Sequence, residues 1–120
     1  MEIMYLGHAG FCVETADAIL VMDPWLSPKG AFDSAWFQFP QNHHLAPLLR
    51  EKLARSPKPK FIYISHEHHD HFDPEFLASL SKDVTYVIPD FQRPAVKDAI
   101  SQLGPSRLIT SAHGQAVAVP

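Results

Sequence analysis

Alternating and runs-of-apolar segments dominate the first quarter of the chain. Glu2 to Leu6, Phe11 to Thr15 and Ala18 to Met22 each read as a short strand, with Gly7 and Gly10 punctuating the first pair and Ala16-Asp17 reversing the chain before the third. An antiparallel meander is predicted. From Leu45 to Ala54 the period changes to that of a helix, with Leu45, Leu48, Leu49 and Leu53 on one stripe, Arg50, Glu51 and Lys52 opposite, and Pro47 tolerated in the first turn. The run Phe61-Ile62-Tyr63-Ile64 then predicts a buried strand, reached by a strand-helix-strand connection of right-handed type. Helix over Pro74 to Leu80, strand over Val84 to Ile88 and helix over Pro94 to Leu103 follow, the last stopped by Gly104-Pro105. Leu108 to Thr110 and Gln115 to Val119 are predicted as two further strands. Only Leu26 to Asn42 lacks a period; its Phe32, Trp36, Phe37 and Phe39 predict a packed loop, either walling a pocket or covering the end of the core.

Between strand and helix lies Ser65-His66-Glu67-His68-His69-Asp70-His71-Phe72-Asp73-Pro74. Imidazole nitrogen and carboxylate oxygen are the donors that zinc, manganese and iron accept, so this stretch reads as a metal site. Asp73 and Pro74 are suited to the N-cap and first position of the helix that follows, which puts the donors at the carboxyl end of a strand, where open α/β sheets place their chemistry. His66 and His68 can point the same way from extended backbone; Asp70 and His71 diverge unless the chain turns. That spacing suits two metals better than one. Two earlier features are ambiguous on spacing alone. His8, in Gly7-His8-Ala9-Gly10, is either a hydrogen-bonded structural residue or part of a pocket, and Asp23, before Pro24-Trp25, either makes a simple turn or orients a ligand imidazole. His43-His44 read as an exposed pair, and Cys12 as a small buried hydrophobe.

The motif His66-x-His68-x-Asp70-His71 resembles the metallo-β-lactamase superfamily signature. Gly7-His8-Ala9 and Asp23-Pro24-Trp25 are similar to the opening segments of one branch. That branch holds L-ascorbate-6-phosphate lactonase, N-acyl-phosphatidylethanolamine phospholipase D and the metallo-β-lactamase-like part of CMP-N-acetylneuraminate hydroxylase. The resemblance implies an α/β fold, the N-terminal half of an αββα sandwich, with one mixed sheet carrying helices on one face. It implies that His66 and His68 bind a first metal and Asp70 and His71 a second, that His69 falls at a variable position, and that Asp70 also orients the attacking hydroxide. His8 and Asp23 become second-shell or pocket residues. Two divalent ions are implied, zinc first, with manganese or iron as alternatives. In the superfamily the remaining ligands, a histidine, a bridging aspartate and a final histidine, come from later segments, for which His113 is only a weak substitute.

Length and composition narrow this further. The 120 residues fit one unit, the N-terminal part of a single domain over 1–120, and 46% hydrophobic with 19% charged residues excludes a mainly disordered chain. A net charge of -3 offers no footprint for nucleic acid or an anionic membrane. The single cysteine agrees with a reducing, cytoplasmic setting, and the opening residues contain neither a leader pattern nor a membrane span. The expected function is a metal-dependent hydrolase acting on a small ester, lactone or phosphodiester through a dinuclear-site hydroxide. The alternatives are an iron-dependent oxygenase-like enzyme or a catalytically incomplete metal-binding half-domain. An uncovered inner sheet face is expected to meet the rest of the domain or a second copy in a homodimer.

Overall fold

The computed structural model describes residues 1–32, 34–90 and 94–118. Its strands are β1 (Glu2–Gly7), β2 (Gly10–Glu14), β3 (Ile19–Met22), β4 (Lys60–Tyr63), β5 (Thr85–Pro89) and β6 (Arg107–Ser111), and its helices α1 (Leu45–Arg55), α2 (Pro74–Ala78) and α3 (Ala95–Gln102). The strands form one mixed sheet in the order β1-β2-β3-β4-β5-β6. The two tight reversals make β1, β2 and β3 antiparallel; from β3 onward neighbours are parallel, each pair joined through a helix as parallel pairing requires.

Register explains where the core sits. Cys12, Val21, Ile62 and Tyr86 lie side by side across four strands, and all are buried. They share one hydrophobic cluster with Leu49 and Leu53 of α1, Phe76 and Leu77 of α2, and Val96 and Ile100 of α3. Burial pushes the Tyr86 phenol up to about 12 and raises the Cys12 thiol, so neither ionises near neutrality. The opposite face holds the alternate residues, and there Ile3 and Tyr5 are 62% and 59% exposed. No described helix is long and apolar enough to cross a membrane.

Three expectations need correction. Leu48 is 60% exposed, because the buried stripe of α1 runs through Ala46, Leu49 and Leu53 and a residue adjacent to Leu49 points about 100° away. Residues 115–118 form no strand, and Val119 lies outside the described residues. Ser111 Oγ donates to the Gln115 carbonyl at 2.7 Å and Ala112 N to Gln115 Oε1 at 3.1 Å, so the chain after β6 closes into its own turn. The loop aromatics do not cover the core: Trp36 and Phe37 are more than half exposed and Phe39 fully so, while Trp25, Leu26 and Ala31 are buried in their place.

The end of β2 is tied by charge to α1 and to the segment that follows it. Glu14 meets both Lys52 and Lys58, and these bonds hold its carboxyl down at about 2 from an ordinary 4.5. A carboxyl depressed on folding stabilises the fold above its unfolded pKa and loses that effect as pH falls toward the folded value. Glu14→Gln is therefore expected to lower stability in urea unfolding at pH 7, with the difference from the parent shrinking steadily between pH 4.5 and about 2.

Candidate metal centre

β4 delivers the donor-rich segment to one end of the sheet. Beyond it, the backbone N–H groups of His71 and Phe72 both donate to the His68 carbonyl, at 2.9 and 2.8 Å. That turn removes the divergence expected of extended backbone and folds Asp70 and His71 back over His66 and His68. The imidazole of His66 lies 4.6 Å from that of His68 and 4.1 Å from that of His71, centroid to centroid.

Two sets of donor atoms result, each mutually within 4.8 Å: His66, His68 and Asp70; and His8, Asp70 and His71. Asp70 belongs to both. Its side chain is buried, and Oδ1 has no hydrogen-bond partner among the described residues. An unpaired buried carboxylate oxygen costs about 1–3 kcal/mol or more, which a bound cation would offset, so the residues fit a metal ion. Burial pushes the Asp70 carboxyl up, but hydrogen bonds from His8 and from backbone, with the nearby His71 and His8 charges, outweigh it and hold the group below its ordinary value. Burial, then the neighbouring His71 and His68, lower the His66 pKa, favouring the neutral ring that ligates.

A hydrogen-bond network behind the donors fixes their ring orientation. Asp23, at a left-handed φ of 42° that aspartate tolerates, accepts from Ser65 N at 2.7 Å, Ser65 Oγ at 2.6 Å and His71 Nδ1 at 2.9 Å. Because Ser65 Oγ spends its proton on Asp23, it accepts from His66 Nδ1 at 2.8 Å. Both rings are thus held with Nε2 free to ligate. Sequence reasoning included Asp23 but gave Ser65 no role; its place immediately before the first histidine was the available signal. Asp23→Asn keeps the backbone but presents an amide to two donors. It is expected to weaken cation affinity about 10–100-fold in a chelator competition, with little change in metal-free melting temperature.

The other predicted positions sort as follows. His8 comes in from the β1–β2 turn, 62 residues away in sequence, and its Nε2 lies 2.8 Å from Asp70 Oδ2. His69 turns aside: its Nδ1 accepts from Phe32 N, and Phe32 stacks on its ring. His43, His44 and His113 are exposed and belong to neither donor set. Asp73 caps α2 through Phe76 N as expected, but also accepts from Leu26 N, Ser27 N and Ser27 Oγ at 3.0, 2.8 and 2.9 Å. Beside this anchor a cavity of about 290 Å³ is lined by Trp25, Lys29, His69 and Phe72 among others.

Residues 2–116 match the beta-lactamase superfamily domain. A Mycobacterium tuberculosis protein provisionally named a Rieske 2Fe-2S iron-sulfur protein is 35% identical over 105 residues, 87% of this chain and 19% of the relative. Cytidine monophosphate-N-acetylneuraminic acid hydroxylase of Mus musculus is 35% identical over 97 residues, 78% of this chain and 16% of the relative. A metal-dependent hydrolase of Pyrobaculum arsenaticum is 34% identical over 71 residues, 59% of this chain and 24% of the relative. The chain therefore spans about a fifth of the length of the curated relatives it matches. No solved structure matches it.

Proposed function

Since this chain belongs to the beta-lactamase superfamily, we propose that it contributes the metal-binding end of a metal-dependent hydrolase acting on a small ester, lactone or phosphodiester. The observation that carries the reading is the position of Asp70, shared between two donor sets with one buried oxygen unpaired. His66, His68 and Asp70 would hold one divalent ion and Asp70 with His71 a second, zinc being the first candidate for this donor set. Bound there, such ions supply a hydroxide at neutral pH and polarise the substrate oxygen under attack. The chain's own residues do the rest. Asp23 keeps the proton on His71 Nδ1 and, through Ser65, on His66 Nδ1; Asp70 is the carboxylate placed to orient the attacking water. The Pyrobaculum relative's name supports this class. A cytoplasmic setting and a small-molecule partner, without nucleic acid or membrane, complete the proposal.

The test is a hydrolysis panel run on the native protein in its full chain. At least one substrate class is expected to be cleaved, with activity lost to a chelator and restored by zinc or manganese. His68→Ala is expected to lose both a bound ion and activity, and a variant that kept its metal content and its hydrolysis would contradict the assignment.

The names of two other relatives favour a second reading, iron-dependent redox chemistry in the same donors. A Rieske centre itself takes two cysteines and two histidines, and Cys12 is the chain's single cysteine, so this segment alone does not hold such a cluster. Elemental analysis separates the readings: iron with a redox-active spectrum supports the second, zinc or manganese the first. A metal that is sub-stoichiometric and removed by dialysis would instead mark an incomplete half-site.

A further inference from the structure

The cavity of about 290 Å³ beside the Asp73 anchor shares none of its lining residues with the two donor sets. Resting on the hydrolase reading above, we infer that it receives the portion of the substrate beyond the scissile bond, and that this portion is a small uncharged group carrying several hydroxyls. His69, which the metal donors leave free, then becomes a residue that determines specificity.

Two aromatic rings join the cavity to the donor cluster. Trp25, on the cavity wall, stands edge-on to the His8 ring with centroids 5.4 Å apart, and His8 Nε2 lies 2.8 Å from Asp70 Oδ2. Phe32 stacks on the His69 ring at 5.3 Å and meets the His68 ring edge-on at 6.1 Å. A molecule in the cavity therefore lies beside the metal donors without displacing any of them. The outer wall is preformed. Ala31 and Trp36 exchange both backbone hydrogen bonds, at 2.8 and 3.1 Å, and a side chain at Gly30 would come within 2.5 Å of the Trp36 carbonyl. The volume is just under the roughly 300–1,000 Å³ of ordinary small-molecule pockets, which suits a single small ring better than a nucleotide or a long acyl chain.

The polar atoms of the wall decide what fits. His69 Nδ1 accepts from Phe32 N at 2.9 Å, so the ring proton sits on Nε2, a donor. Lys29 adds further donors, its ammonium held loosely by Glu75 at 3.5 Å. The hydroxyls of Ser27 and Ser34 spend their protons on Asp73 Oδ1 and on the Lys29 carbonyl, both at 2.9 Å, and so present lone pairs. Donors and acceptors stand together, and a hydroxyl group answers both. Trp25 and Phe72, both buried, supply apolar surface against which the carbon skeleton of a polyol packs. An anion is disfavoured: Asp73 brings a buried carboxylate whose oxygens are already filled by four donors, and the Lys29 charge is balanced by Glu75. Hydroxylated esters and lactones are thus favoured over a charged phosphodiester.

The test uses the native protein in its full chain, labelled with nitrogen-15 histidine. Titrated with glucose as the probe, the His69 Nε2 signal is expected to shift and saturate, while inorganic phosphate and hexanol leave it in place. Hydrolysis by the zinc-loaded protein is then compared between an acetate ester of glucose and hexyl acetate. The hydroxylated ester is expected to have a kcat/KM at least about 10-fold higher, and His69→Asn to reduce that ratio about 10-fold with the bound zinc unchanged. Asparagine keeps an acceptor for Phe32 N while withdrawing the Nε2 donor, and a ratio taken on one variant cancels any general loss of activity. Failure of glucose to saturate the signal, saturation by phosphate or hexanol instead, or a ratio that His69→Asn leaves untouched overturns this inference alone. If neither ester is cleaved while glucose still saturates His69, the hydrolase reading fails and the hydroxyl-binding cavity stands.

Discussion

Asp70→Ala is expected to empty both ion positions at once. Every other donor serves one set only, whereas Asp70 stands in both, so its loss removes an anionic ligand from each. Replacing residues that merely orient ligands typically costs 10–100-fold in affinity, and removing the shared ligand is expected to exceed about 100-fold for both ions. Stability should respond in the opposite sense. In the metal-free protein Asp70 is a buried carboxylate with an unpaired oxygen, so trading it for alanine relieves a cost while giving up the His8 hydrogen bond. Chelated protein is therefore expected to lose no more than about 1 kcal/mol in urea unfolding. A residue that supports fold rather than metal would show the reverse: retained ions and a large loss of stability.

Asp73→Ala is expected to show that reverse pattern. Its carboxylate is 2% exposed and accepts from four donors, Leu26 N, Ser27 N, Ser27 Oγ and Phe76 N. Removing it leaves these groups unpaired in the interior, takes the cap from α2 and frees the segment that carries Trp25 and Leu26. A cap alone is worth about 1 kcal/mol, and each buried donor left without its acceptor costs about 1–3 kcal/mol, so losing the shared acceptor of four donors is expected to cost about 3–5 kcal/mol after relaxation. The expected loss is at the upper figure, a large share of the roughly 5–15 kcal/mol that holds an ordinary domain folded. Ser27→Ala, which deletes one of the four donors, should cost nearer 1 kcal/mol. A loss below about 1 kcal/mol for Asp73→Ala would show that the network is not the anchor its geometry indicates.

The contrast between these two aspartates, three residues apart in one motif, shows what could be read from sequence and what could not. Local chemistry was legible. The apolar run before Ser65 predicts the strand, and the Asp-Pro pair predicts the helix start that Asp73 caps. The meander likewise follows from glycine punctuation between short apolar runs. Features that depend on partners distant along the chain were not legible. The second role of Asp73 joins residues 46 and 47 positions apart, and His8 meets Asp70 across 62. No local pattern encodes such pairings; they arise because β1, β3 and β4 run in the same direction and finish at the same end of one sheet. The exposure of Leu48 and of the loop aromatics has a related origin. Hydrophobicity marks a residue as able to be buried, and only the packing of the rest decides whether it is.

The most direct measurement is a crystal structure of the native protein grown with zinc, with anomalous scattering collected at the zinc edge. Two peaks are expected: one within bonding distance, about 2.0–2.2 Å, of His66, His68 and Asp70, the other at similar distances from Asp70 and His71. Crystals containing ordered side chains at these positions but no anomalous peak between them would contradict the assignment of a metal centre to this end of the sheet.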